Sequence, residues 1–129
     1  MEDENARSQA LAQLASIREM VEALIKARED EDDDAYEDAE RSIHEDALSV
    51  EVRSCWYIPG STDRYPDEYR IMLCTGGPAV QIRGDLDQGS PSTARLECQD
   101  WFKPWTDVDI TPEDRKALIE YASCFYFGE

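Results

Sequence analysis

The stretch Leu48-Ser49-Val50-Glu51-Val52-Arg53-Ser54-Cys55-Trp56-Tyr57-Ile58 decides the fold. Leu48, Val50, Val52, Ser54, Trp56 and Ile58 alternate with Ser49, Glu51, Arg53, Cys55 and Tyr57, the period-two pattern of a strand. Pro59-Gly60-Ser61-Thr62-Asp63 then ends it as a turn. Before this stretch apolar residues recur every three or four positions, and after it every two. The chain therefore passes from helix to sheet at about residue 48.

Working forward, Tyr69, Ile71, Leu73 and Thr75 continue the alternation in a second strand. Gly76-Gly77-Pro78 follows as a hairpin loop, because paired glycines accept positive φ. Val80, Ile82, Gly84 and Leu86 make a third strand. Gln88 to Thr93 reads as loop, and Ala94, Leu96, Cys98 and Asp100 as a fourth strand. Thr111-Pro112-Glu113-Asp114 is a helix start, with Thr as N-cap, Pro in the first turn and acids near the dipole's positive end. Leu118, Tyr121, Ala122 and Phe125 supply its apolar face.

Working backward, Ala10, Leu11, Leu14, Ile17, Val21, Leu24, Ile25 and Arg28 form a helical stripe from about Asp3 to Arg28. Tyr36, Ala39, Ile43 and Ala47 keep helical spacing through a second segment. The spacing predicts a short helix from about Asp33 to Asp46, antiparallel to the first, with a turn near Asp30–Asp32. A solvated acidic linker is the rival arrangement, because like charges at i,i+4 oppose helix. The order α-α-β-β-β-β-α predicts an α+β fold: an N-terminal helical hairpin, a four-stranded antiparallel sheet and a C-terminal helix. Residues 1–47 form an acidic helical segment packing on the sheet, and 48–129 the sheet plus C-terminal helix, within one domain overall.

The 129 residues include 30 Asp+Glu against 13 Lys+Arg, a formal charge of −17. Direct nucleic-acid binding needs clustered Lys and Arg, and anionic membrane surfaces need the same, so both are disfavoured. No apolar run approaches the ~18 residues of a membrane helix. Met1-Glu2-Asp3-Glu4 lacks the basic and apolar regions of a signal peptide. A cytosolic protein is expected. Cys55, Cys74, Cys98 and Cys124 contain no C-x-x-C, so they read as reduced thiols in or near a core, not as a zinc site.

Catalytic signals are missing. His44 is the only histidine and lies far in sequence from any nucleophile motif, so it reads as an exposed helix residue. Neither phosphate-loop pattern occurs. Asp30-x-Asp32-x-Asp34 begins like a calcium loop, but Ala35 takes the sixth position and Arg41 the twelfth. No catalytic residue, metal ligand or cofactor is assigned, and no enzyme is expected.

The remaining signal is charge. Residues 29–46 hold eleven acids: Glu29, Asp30, Glu31, Asp32, Asp33, Asp34, Glu37, Asp38, Glu40, Glu45 and Asp46. Laid on a helix of ~27 Å they give one carboxylate per ~2.5 Å, against one phosphate per ~1.7 Å of duplex axis. These eleven are the candidate partner-binding residues, presented to a basic nucleic-acid groove in place of phosphates. Glu19 and Glu22 would extend the stripe along the first helix. A solvated face that only confers solubility is the competing reading. A secondary candidate surface is aromatic: Trp101 and Trp105 flank Phe102 and Pro104, with Tyr57 and Tyr65 near other loops. Its competing reading is a cap on the core.

Three stretches also carry a resemblance: Leu48-Ser-Val-Glu-Val-Arg-Ser-Cys-Trp-Tyr-Ile-Pro-Gly60, Leu73-Cys-Thr-Gly-Gly-Pro-Ala-Val-Gln-Ile-Arg-Gly-Asp-Leu-Asp87 and Leu96-Glu-Cys-Gln-Asp-Trp-Phe-Lys-Pro-Trp105. Over roughly residues 45–127 the chain resembles small acidic proteins carried by phages, plasmids and integrative elements of proteobacteria. The resemblance implies a mobile-element protein that evades host defence, of anti-CRISPR or anti-restriction type. It assigns no role to any residue. The expected partner is a basic nucleic-acid-binding protein, a CRISPR effector subunit in first place. An antitoxin-like or adaptor module using the aromatic surface is the alternative.

Overall fold

The computed structural model describes residues 2–54, 56–60, 66–75, 77–100 and 103–127, with side chains described from Ala6 onward. Three helices accompany one antiparallel sheet.

Helix α1 (Glu2–Glu29) buries Ala6, Ala10, Leu14, Ile17, Val21, Leu24 and Ala27 along one face. Leu11, expected in the stripe, is 46% exposed, and Ile25 is half-buried at its border. The end of α1 is closed by its own backbone. Asp32 N–H donates to the Ala27 carbonyl at 3.0 Å and Glu31 N–H to Arg28 at 3.3 Å, with Glu31 at φ 54°. This is the Schellman arrangement, with a glutamate in the left-handed position where glycine is usual. Asp32 then caps α2 (Asp33–Asp46), its side chain accepting from Ala35 N–H at 3.1 Å. Among the alternatives left open by the sequence, residues 33–46 are helix and not linker. Ala39 and Ile43 are the buried residues of α2, which packs on α1.

The sheet comprises β1 (Ser49–Arg53), β2 (Glu68–Cys74), β3 (Ala79–Asp87), β4 (Ser90–Pro91), β5 (Arg95–Gln99) and β6 (Thr106–Asp107). Its path is β1-β2-β3-β5-β6, with β4 also on β3. Six strands replace the expected four, and the difference has two sources. Residues 88–93, expected as loop, contain a two-residue hairpin. Gln88 and Gly89 take φ 52° and 83°, a type I′ turn that pairs Asp87 with Ser90. The strand after this turn is interrupted, so β4 and β5 are two parts of one partner to β3. β6 is a separate addition on β5. The first strand is also shorter than the alternation suggests, ending at Arg53 and not at Ile58. Cys55, Gly76, Tyr65 and Trp101, named in the sequence reading, lie outside the described residues.

The interruption between β4 and β5 has an identifiable cause. Gly84, opposite Tyr69, lies where a Cβ would sit 2.1 Å from the Thr93 carbonyl oxygen. The Tyr69 hydroxyl donates to that same oxygen at 2.6 Å, and Asp85 N–H donates to the Thr93 hydroxyl at 2.9 Å. A tyrosine thus fills the space of the missing side chain and satisfies the diverted carbonyl.

Tyr69, Ile71, Leu73, Val80, Ile82, Leu96 and Cys98 join the buried faces of α1 and α3 (Pro112–Ala122) in one core. The helix expected to reach Phe125 stops at Ala122. Its start is a full capping box: Asp114 N–H donates to the Thr111 hydroxyl and Thr111 N–H to the Asp114 carboxylate, both at 3.1 Å. Arg18 on α1 donates to the other Asp114 oxygen at 2.8 Å. Burial alone would raise the Asp114 pKa, but the bonds from Thr111 and Arg18 outweigh it and hold it below the ordinary value. No described helix is long and apolar enough to cross a membrane.

Candidate partner-binding surface

At 100° per residue, Glu40, Asp33, His44, Glu37, Arg41, Asp34, Glu45 and Asp38 fall within roughly 160° of the α2 circumference. Buried Ala39 and Ile43 lie on the opposite side. The apolar minority therefore anchors the helix and turns its acids outward. Of the eleven candidates, Glu29, Asp30, Glu31, Asp32, Asp33, Asp34, Glu37, Asp38 and Glu45 are exposed, while Glu40 and Asp46 are half-buried.

Two of the eleven have structural tasks. Asp32 is the α2 cap. Asp46 accepts the Tyr121 hydroxyl at 2.8 Å, and with burial this pushes the Tyr121 pKa upward. Arg41, the one base of the segment, bonds Asp38 at 3.2 Å within the acidic arc. The six carboxylates from Asp33 to Glu45 span ~18 Å of axis, one per ~3 Å, which is about half the duplex density. Glu22 lines a cleft between α1 and α3 with Arg18 and Lys116, so it does not extend the α2 arc.

His44 is exposed, but it is tied down. Its Nε2 lies 2.6 Å from the Cys124 carbonyl oxygen and its ring centroid 5.4 Å from that of Phe125. A ring nitrogen facing a carbonyl must carry the proton. Cys124 is half-buried with its thiol pKa pushed up to about 11, first by burial and then by the charges of Glu40 and Glu120. It is not poised as a nucleophile. Cys74 is half-buried and also raised by burial, and Cys98 is buried. Among the described residues, no three His, Cys, Asp or Glu side chains gather where they could hold a metal ion.

Trp105 is half-buried, which fits a partial cap better than a free anchor. The most exposed aromatic and aliphatic side chains among the described residues lie elsewhere: Trp56 is fully exposed, Tyr126 81%, Ile58 79% and Leu48 58%.

The sheet face away from the helices carries an ionic ladder that the sequence reading did not isolate. Register places Arg70 opposite Arg83, and Arg83 opposite Arg95. Glu51 accepts from Arg70 and Glu68 accepts from Arg53 at 2.9 Å, with Arg83 3.6 Å away. These arginines, the Arg53 bond foremost, lower the Glu68 pKa against burial. Three cations in a row would repel. The flanking glutamates offset this, and a cleft of about 300 Å³ remains between them. Beside the ladder Gln81 is buried and donates to Glu97 at 2.6 Å. The only sequence signal for this face was alternation of charge within each strand. Which charges meet depends on register, which alternation does not specify.

No family model, curated protein or solved structure matches the chain.

Proposed function

We propose that the protein is a non-catalytic inhibitor that occupies the basic nucleic-acid groove of a target protein by presenting carboxylates in place of phosphates. One observation carries the reading: nine of the eleven acids of residues 29–46 are exposed, four at the end of α1 and in the turn after it and five on α2, whose apolar side is anchored to α1. Neither the fold nor the charge selects the target. The resemblance described above does, and it favours a CRISPR effector subunit met in the bacterial cytosol, with the protein carried by a mobile element for host defence evasion.

The physics of the contact sets its test. Lys and Arg built to release counterions from nucleic acid would pair with this surface in the same way, and screening would oppose them. Capture of the target from a host lysate should fall steeply with salt. A decline on the order of a thousandfold between ~50 and ~200 mM salt is the scale for about six phosphate-like contacts. Asp30→Lys, Glu31→Lys, Glu37→Lys and Glu45→Lys together spare the Asp32 cap and the Asp46–Tyr121 bond. The quadruple variant should stay folded and lose the target; retained affinity would refute the electrostatic reading.

A second reading is supported by the exposed Trp56, Ile58 and Leu48 around strand β1. In it the chain is an antitoxin-like or adaptor module that binds through an apolar sheet edge. That contact would be indifferent to salt and to the four reversals.

A further inference from the structure

Strand β1 lies at one end of the sheet, and its outer edge pairs with no strand among the described residues. Its side chains divide by face. Val50 and Val52 stand opposite Ile71 and Tyr69 and so share the helix-side face, whereas Glu51 and Arg53 stand opposite Arg70 and Glu68 on the ionic face. The apolar layer of the core thus runs out to this edge only partly covered: Val50 is half-buried, Val52 is 45% exposed and Leu48, just before the strand, 58%. An open edge with an apolar flank is a template for another strand.

We infer that a second copy of this chain occupies the edge, the two β1 strands pairing antiparallel about a two-fold axis at Val52. The argument is one of register. A two-fold axis perpendicular to the sheet keeps the helix-side faces together, so residues of like parity must meet. An axis on Glu51 sets that carboxylate against its own copy, and an axis on Arg53 does the same for the guanidinium. An axis on Val50 sets Val52 of each copy against Leu48 of the other but leaves Glu51 facing Ser49, so it forms no charge pair. The axis on Val52 sets Glu51 of each copy opposite Arg53 of the other, and Val52 against Val52. Opposite-charge and β-branched pairs are the favourable cross-strand pairs, and like charges the unfavourable ones. The charges that usually blunt an edge strand are here complementary under that axis.

The pairing has a salt dependence of the reverse sign to groove binding. Each copy carries a net charge of −17. The Debye length falls from ~30 Å at ~0.01 M to ~8 Å at ~0.15 M salt. Salt therefore screens the long-range repulsion between copies, while the contacts along the edge are short-ranged. Self-association tightens with salt as target capture loosens, so failure of one leaves the other standing.

Sedimentation equilibrium of the full chain at ~0.01 M and ~0.3 M salt, up to millimolar protein, is the test. The expected result is a monomer–dimer equilibrium that shifts toward dimer at high salt. Val52→Lys puts two ammonium groups on the axis and should weaken the dimer at least about tenfold while leaving the circular dichroism spectrum unchanged. Should that variant unfold, Val52→Cys gives an independent reading. Directly opposed residues have Cβ atoms ~5 Å apart, so oxidation should join two copies through the tryptic peptide 42–53, which contains none of the four native cysteines. A chain that stays monomeric under all these conditions overturns the proposal, as does a dimer that Val52→Lys leaves unchanged or one in which 42–53 does not link to its copy.

Discussion

The Tyr121 hydroxyl donates to the Asp46 carboxylate at 2.8 Å, joining the last residue of α2 to the C-terminal helix across 75 positions of sequence. Tyr121 is fully buried, and His44 reaches the Cys124 carbonyl one turn away. The acidic helix is thus fastened at its far end by two contacts to one segment. Tyr121→Phe keeps the ring and removes the donor. It should lower stability by about 1 kcal/mol and speed hydrogen exchange in the last turn of α2. Urea unfolding and exchange mapped by mass spectrometry would read both.

The Asp114 cap makes a pH prediction. Its folded pKa lies below the unfolded value of 3.8. The stabilisation is therefore complete above the unfolded pKa and is lost as pH falls through the lower folded value. Asp114→Asn keeps part of the cap but loses the Arg18 pair. It should cost about 1–2 kcal/mol at neutral pH and progressively less as the pH falls below the unfolded pKa. Denaturation curves of the two proteins across acid pH should converge.

Gly84→Ala tests the interrupted strand. The added Cβ would meet the Thr93 carbonyl carbon and oxygen and the Tyr69 ring, so neither backbone nor ring can move without breaking the 2.6 Å bond between them. A loss of about 3 kcal/mol or more is expected from thermal or urea unfolding.

Glu31 tests the closure of α1 from the opposite direction. It holds φ 54°, where a side chain costs about 1 kcal/mol relative to glycine. Glu31→Gly should raise the melting midpoint despite removing no buried contact. An unchanged or lowered midpoint would mean the turn is not strained.

Much of this architecture was legible because local chemistry and tertiary packing agree. Thr111-Pro112-Glu113-Asp114 names a helix start in four residues, and the structure puts a capping box there. Ala39 and Ile43 predicted the buried side of α2 even within an acidic run. The failures share a physical origin. Gln88-Gly89 forms a type I′ turn with glutamine in a conformation that asparagine or glycine usually takes, so composition pointed to loop. β6 has two residues, too few for any period. β1 ends at Arg53 although the alternation continues, because a strand persists only where a neighbour continues to pair with it, and β2 begins opposite at Glu68. Of the candidate surface, the acids could be counted in the sequence. The assignment of Asp32 to a cap and Asp46 to Tyr121 could not, since the second depends on a contact between distant segments.

The hold on α2 at both of its ends has an entropic consequence. A peptide of residues 33–46 alone would sample open conformations, driven apart by its own like charges. Within the whole chain the spacing of those charges is set in advance, so the cationic partner proposed above would meet a rigid template, and its association would carry no cost of ordering a loose segment.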